Sequence, residues 1–135
     1  MKIIGLDHIG IAVKSFEEGS KFYKDILKLD LSDKYELPAQ KIRISYIALS
    51  GTKIEFLEPT DKESPIARFL EKRGEGIHHL CFLVEDIEKA LEELRSQGIK
   101  LIDHKPRTNP HGEKIAFIHP KSAGGVLLEL KERPV

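Results

Sequence analysis

Residues 5–13, Gly-Leu-Asp-His-Ile-Gly-Ile-Ala-Val, and residues 76–84, Gly-Ile-His-His-Leu-Cys-Phe-Leu-Val, align without a gap at an offset of 71 residues. A duplication of this period makes each half one supersecondary unit, so the chain is expected to fold as two copies of one module. Both segments alternate in side-chain character and read as strands. After the first, Ser15 followed by Glu18 forms a capping box for a helix running to about Leu27. After the second, Asp86 can cap a helix in which Ile87, Ala90, Leu91 and Leu94 recur at helical spacing, and Gly98 can end it. Three strands are predicted behind each helix, at about 29–36, 42–49 and 52–58 and at about 99–103, 114–119 and 126–131. Each half therefore reads βαβββ, an α+β arrangement.

Between the halves, Ser64, Pro65 and Gly74 bound a linker helix over about 64–73, which leaves module 1 at about 3–60 and module 2 at about 76–131. At 135 residues the chain has the size of one domain, 1–135, and not of two. The stretch 105–113, with two prolines, Asn109 and Gly112, is predicted to be a long loop, and long loops often carry function.

Lys plus Arg and Asp plus Glu both number 22, so no global field favours nucleic acid or an anionic membrane. No apolar run approaches the roughly 18 residues of a membrane span, and Met1 to Gly5 leads into Asp7 and His8 without an apolar signal core. A cytoplasmic protein is expected. The single cysteine, Cys81, excludes an internal disulfide. Charged residues make up 33% of the chain against a usual quarter or so, mostly Lys and Glu, a balance common in heat-adapted proteins.

The duplication also selects the residues that could do chemistry. Strand alternation puts His8 on one face with Gly10 and Ala12, read as the open face, and Asp7, Ile9, Ile11 and Val13 on the opposite, packed face. His79 occupies the matching place in the second copy, beside Cys81 and Leu83, whereas His78 falls on the other face with Leu80 and Phe82. The closing strand of each half holds one acid among apolar residues, Glu55 in Lys53-Ile54-Glu55-Phe56-Leu57 and Glu129 in Leu127-Leu128-Glu129-Leu130. Each lies four residues after a glycine, Gly51 or Gly125. A carboxylate facing a sheet interior costs several kcal/mol unless a cation or good donors compensate it, and the paired histidines complete a mixed site for one. His8, Glu55, His79 and Glu129 are thus predicted to bind one divalent metal. Two imidazoles and two carboxylates suit Co, Mn, Ni, Zn, Fe or Mg and leave positions open for substrate oxygens.

Other candidates carry a weaker signal. Cys81 shares the His79 face but reads better as a small buried thiol. His104, His111 and His119 lie in or beside loops, where solvation or turn capping is the ordinary role, and His111 is the best substrate-binding candidate of the three. Lys121 and Ser122 form a polar turn before the Glu129 strand where a lysine can meet an anionic substrate. Phosphate-cradling glycine loops, paired-cysteine zinc knuckles and Gly-x-Ser-x-Gly elbows are absent, and Gly74-Glu75-Gly76 lacks the third glycine of a dinucleotide fingerprint.

Five blocks, 6–13, 53–59, 64–70, 74–79 and 119–130, resemble the vicinal oxygen chelate superfamily, which includes glyoxalases, bleomycin-resistance proteins and dioxygenases. Within it, the middle and last blocks look most like the methylmalonyl-coenzyme A epimerases. The resemblance implies paired βαβββ modules forming a cupped, partly open barrel-like sheet with helices outside. It puts the family's ligands on His8, Glu55, His79 and Glu129, some relatives having Gln in place of Glu55. It also implies a homodimer acting on a small acyl-CoA substrate, with a metal-stabilised enolate formed by α-proton abstraction. Glu129 resembles one of the two bases this needs. One branch of the family carries a further glutamate on the strand equivalent to residues 41–49, which here has none, so that Glu36, Glu58 or water would have to substitute. The rival readings are a glyoxalase I-type lactoylglutathione lyase on the same ligands, an iron dioxygenase in which Glu55 would be surplus, and a metal-free binding module, which the absence of Trp disfavours.

Overall fold

The computed structural model describes residues 1–134. Both duplicated segments are strands, β1 (Ile3–Ala12) and β5 (Gly76–Val84), and each opens a strand-helix-three-strand run. In the first half these are α1 (Phe16–Gly19), β2 (Tyr35–Leu37), β3 (Ile42–Leu49) and β4 (Thr52–Pro59). After the linker helix α2 (Pro65–Arg73) and β5 come α3 (Ile87–Ser96), β6 (Arg107–Thr108), β7 (Lys114–Ile118) and β8 (Leu127–Glu132). Among the described residues no helix is long and apolar enough to cross a membrane.

The chain divides into two compact units whose borders fall inside β1 and β5. Residues 9–78 form one, with strand order β2-β3-β4-β1. β3 and β4 pair antiparallel from Ile42↔Pro59 to Leu49↔Thr52 across the turn Ser50-Gly51, where Gly51 takes φ +81°. Two clusters fill the unit: Ala12, Ile42, Ile44, Leu57 and Ile66 in one, Val13, Phe16, Ile47 and Phe56 in the other. The linker helix starts and stops as its sequence predicts, with Ser64 Oγ accepting from the Ile66 N–H at 3.2 Å and Gly74 at φ +77°.

Three predictions fail in this unit for identifiable reasons. The helix expected to reach Leu27 stops at Gly19, although Ser15 caps it by accepting from the Glu18 N–H. Ser20 Oγ turns back to the Phe16 carbonyl at 2.5 Å, and the chain continues as one wide turn over Phe22–Ile26, closed by the Leu27 N–H on the Phe22 carbonyl. The strand expected at 29–36 shrinks to β2 because Ser32 joins β3 irregularly, its N–H on the Tyr46 carbonyl and its Oγ accepting from the Tyr46 N–H. The open-face reading of β1 is reversed: Gly10 and Ala12 are buried and Ile9 and Ile11 only partly so, and Ala12 packs in a core cluster with Ile42, Ile44, Leu57 and Ile66.

The second unit combines residues 1–8 with 79–135, in strand order β1-β5-β8-β7-β6. β5 and β8 run parallel with Cys81 opposite Glu129, and β7 and β8 antiparallel with Phe117 opposite Glu129. Ile87, Ala90 and Leu91 of α3 pack on Val84, Leu101, Ala116, Ile118 and Leu130, and Asp86 caps the helix by accepting from the Lys89 N–H. The strand expected at 99–103 reduces to a single bridge, Leu101 to Ile118. Asp103 interrupts the ladder there, since its carboxylate takes the Phe117 N–H while the Ile102 and Asp103 N–H groups share the Phe117 carbonyl. The short β6 lies inside the predicted loop instead.

Candidate metal centre

Three adjacent strands of the second unit each contribute one buried polar residue: His8 from β1, His79 from β5 and Glu129 from β8, between 6% and 7% exposed. The parallel β5–β8 register sets His79 two residues before Cys81, the partner of Glu129, and thus on the same face. The two Nε2 atoms lie 3.0 Å apart, and each lies 3.3 Å from Glu129 Oε1. The rings meet edge to face, and Phe117 from β7 stands edge-on to His79 with centroids 6.1 Å apart.

Burial pushes the Glu129 carboxyl up, but hydrogen bonds from His79 and His8 outweigh it and bring the group down to about 2. The acid is therefore an anion at neutral pH, aimed at the same point as two imidazole nitrogens. Donor atoms separated by 3.0 and 3.3 Å match the edges of a coordination polyhedron with bonds of about 2.1 Å, and nitrogen with carboxylate oxygen suits a borderline divalent ion. These residues are possible ligands for such an ion.

Behind His8 stands a partner that strand alternation had put on the opposite face. Asp7 Oδ2 lies 2.8 Å from His8 Nδ1 and 3.2 Å from Lys131 Nζ, and Lys131 Nζ also lies 3.1 Å from Glu113 Oε2. Alternation fixes where Cβ points, not where a ring and a carboxylate end. The adjacency of Asp to His was the only signal for this contact, and none pointed to Lys131 or Glu113. Burial raises the Asp7 carboxyl, yet the His8 hydrogen bond and the Lys131 charge together hold it at about 2. Cys81 is fully buried, with a ligand atom close to those of Asp7 and His8, and burial pushes its thiol up to about 12.

Glu55 is buried on β4 of the first unit, opposite Tyr46, and His78 sits against the Phe69 ring in that unit. His111 is exposed in the long loop, where its N–H donates to Asn109 Oδ1. Lys121 is exposed in a short helical turn capped by His119 Nδ1, and Ser122 Oγ accepts from the Lys100 N–H. Glu58 is committed structurally, with Oε2 accepting the Phe16 N–H and Oε1 2.8 Å from Arg43. Glu36 is exposed on β2, in register with Arg43.

Known proteins place this chain in a family. Residues 7–117 match the model of the Glyoxalase/Bleomycin resistance protein/Dioxygenase superfamily. The mitochondrial methylmalonyl-CoA epimerase of Homo sapiens is 38% identical over 94% of this chain and 73% of its own length. The crystal structure of methylmalonyl-CoA epimerase from Mycobacterium tuberculosis is 40% identical, covers 98% of this chain and 90% of that one, and superposes with a TM-score of 0.87. A methylmalonyl-CoA epimerase in complex with methylmalonyl-CoA and NH4+ is 28% identical, covers 99% and 97%, and has a TM-score of 0.88. On the strength of the duplicated modules, the shared fold and a family match over most of its length, the chain belongs to the glyoxalase/bleomycin resistance protein/dioxygenase superfamily.

Proposed function

We infer that this chain is a methylmalonyl-CoA epimerase, an isomerase that inverts the carbon flanked by the thioester and the carboxylate of its substrate. The observation that carries the reading is near-full-length similarity to methylmalonyl-CoA epimerases in both sequence and fold. His8, His79 and Glu129 hold a divalent ion, one of Co, Mn, Ni, Zn, Fe or Mg. Support for this lies in their convergence within one unit. Glu55 is the fourth donor that the duplication assigns. When bound, the ion supplies a Lewis acid that spreads enolate charge away from water.

The protein's own groups divide the remaining work. The two imidazoles orient Glu129 Oε1, and the Glu129 carboxylate takes the α-proton from one face. Glu58 does not serve as the base for the opposite face, because its two oxygens cap α1 and pair with Arg43. Lys121, Ser122 and His111 are our candidates for contacting the acyl-CoA substrate. The resemblance further implies a cytoplasmic homodimer.

Proton NMR of methylmalonyl-CoA in deuterium oxide tests the activity. Metal-replete protein should exchange the α-proton, and a chelator or Glu129→Gln should abolish the exchange. If the replete wild type leaves that proton in place, the epimerase reading fails while the family and fold stand.

A further inference from the structure

We propose that Asp7 is a positioning residue for the metal centre: clamped by the partly buried Lys131, it holds the Nδ1 proton of His8 and so presents the His8 Nε2 lone pair to the ion. This rests on the reading of His8, His79 and Glu129 as metal ligands. Lys131 Nζ can only donate, so Asp7 Oδ2, 3.2 Å from it, serves as an acceptor, and its 2.8 Å contact with His8 Nδ1 puts the ring proton on Nδ1. The lone pair then belongs to Nε2, the atom 3.0 Å from His79 Nε2 and 3.3 Å from Glu129 Oε1. Such a carboxylate behind a ligating imidazole fixes both the tautomer and the ring orientation.

Asp7 is itself held. Its Oδ2 receives Lys131 Nζ at 3.2 Å, and the two side chains are 16% and 12% exposed. A lysine so deeply placed is costly to desolvate unless well paired, and Glu113 supplies a second carboxylate at 3.1 Å. Asn109 anchors Glu113 in turn, donating from Nδ2 to Oε1 at 3.0 Å and accepting the Glu113 N–H at 2.9 Å. An ordered line therefore runs from the 105–113 loop through Glu113, Lys131 and Asp7 to His8, all within one unit.

The test compares wild type, Asp7→Asn and the double variant Asp7→Asn with Lys131→Met, using zinc as the probe. The double variant removes both ends of the ion pair and keeps the fold within reach should the single variant not fold. Zinc affinity is read by competition with a chromophoric chelator, and the His8 ring protons by nitrogen-edited NMR of the zinc-loaded protein. We expect a slowly exchanging Nδ1 proton on His8 in wild type. Zinc should bind 10- to 100-fold more weakly in the double variant, and in the single variant if it folds. Unchanged zinc affinity in the double variant overturns the role of Asp7 and leaves the metal reading intact, whereas a His8 ring proton on Nε2 in zinc-loaded wild type overturns both the role of Asp7 and His8 as a ligand through that atom. Wild type that binds no zinc removes both.

Discussion

Replacing Glu129 by Gln removes the carboxylate whose Oε1 lies 3.3 Å from both His8 Nε2 and His79 Nε2, with consequences for stability that can be measured in metal-free protein. Burial acts against the ionised form, yet hydrogen bonds from both imidazoles bring the group to about 2 from an ordinary 4.5. A folded-state value below the unfolded one means the group adds stability that is fully present above about pH 4.5 and disappears as pH falls towards 2. Over that interval the contribution is about 3 kcal/mol. For a chain of this size, with an urea slope of about 1.5–2 kcal/mol per molar, the unfolding midpoint should drop by about 1.5–2 M at pH 7. Because the chain has no Trp, far-UV circular dichroism is the suitable probe, with a chelator present throughout. The gap between wild type and variant should close as the pH is lowered from 4.5 to 2.5. Equal midpoints at pH 7, or a gap of the same size at pH 3, would refute the electrostatic reasoning.

Two further outcomes concern the scaffold. Cys81 is fully buried with its thiol at about 12, so a disulfide reagent at pH 8 should leave native protein unlabelled and modify one thiol per chain once urea unfolds it. Rapid labelling of the native state would contradict that placement. Gly19→Ala should destabilise by about 1–2 kcal/mol, because a Cβ there collides with Val13, a core residue, and overpacking outweighs the roughly 1 kcal/mol that alanine gains in a helix. Thermal melts decide the sign, and a stabilised variant would show that Val13 can move aside.

What could be read in advance followed from repetition. The offset of 71 residues located β1 and β5, and with them His8 and His79, because a strand's period of two carries the side-chain direction from one copy to the other. Glu129 was legible as an acid in an otherwise apolar strand. Strong local chemistry also survived: Ser64, Pro65 and Gly74 framed α2, and Asp86 started α3. The failures came where a side chain took a backbone group's place. Ser20 ended α1 by bonding back to Phe16, Ser32 replaced the ladder beside β3, and Asp103 did so beside β7. No periodicity records such substitutions. The line from Asp7 through Lys131 to Glu113 was illegible for a different reason, since it joins residues 7, 131 and 113 that only the packing of β1 and β8 in one unit brings together.

The central claim is that two imidazoles and one carboxylate of this chain share an ion. Anomalous diffraction at the zinc edge from a zinc-soaked crystal tests it most directly. The account predicts one peak per chain within about 2.2 Å of Nε2 of both His8 and His79 and of an oxygen of Glu129. A crystal with these three side chains ordered and bonded only to one another, its zinc lying elsewhere or nowhere, would contradict it.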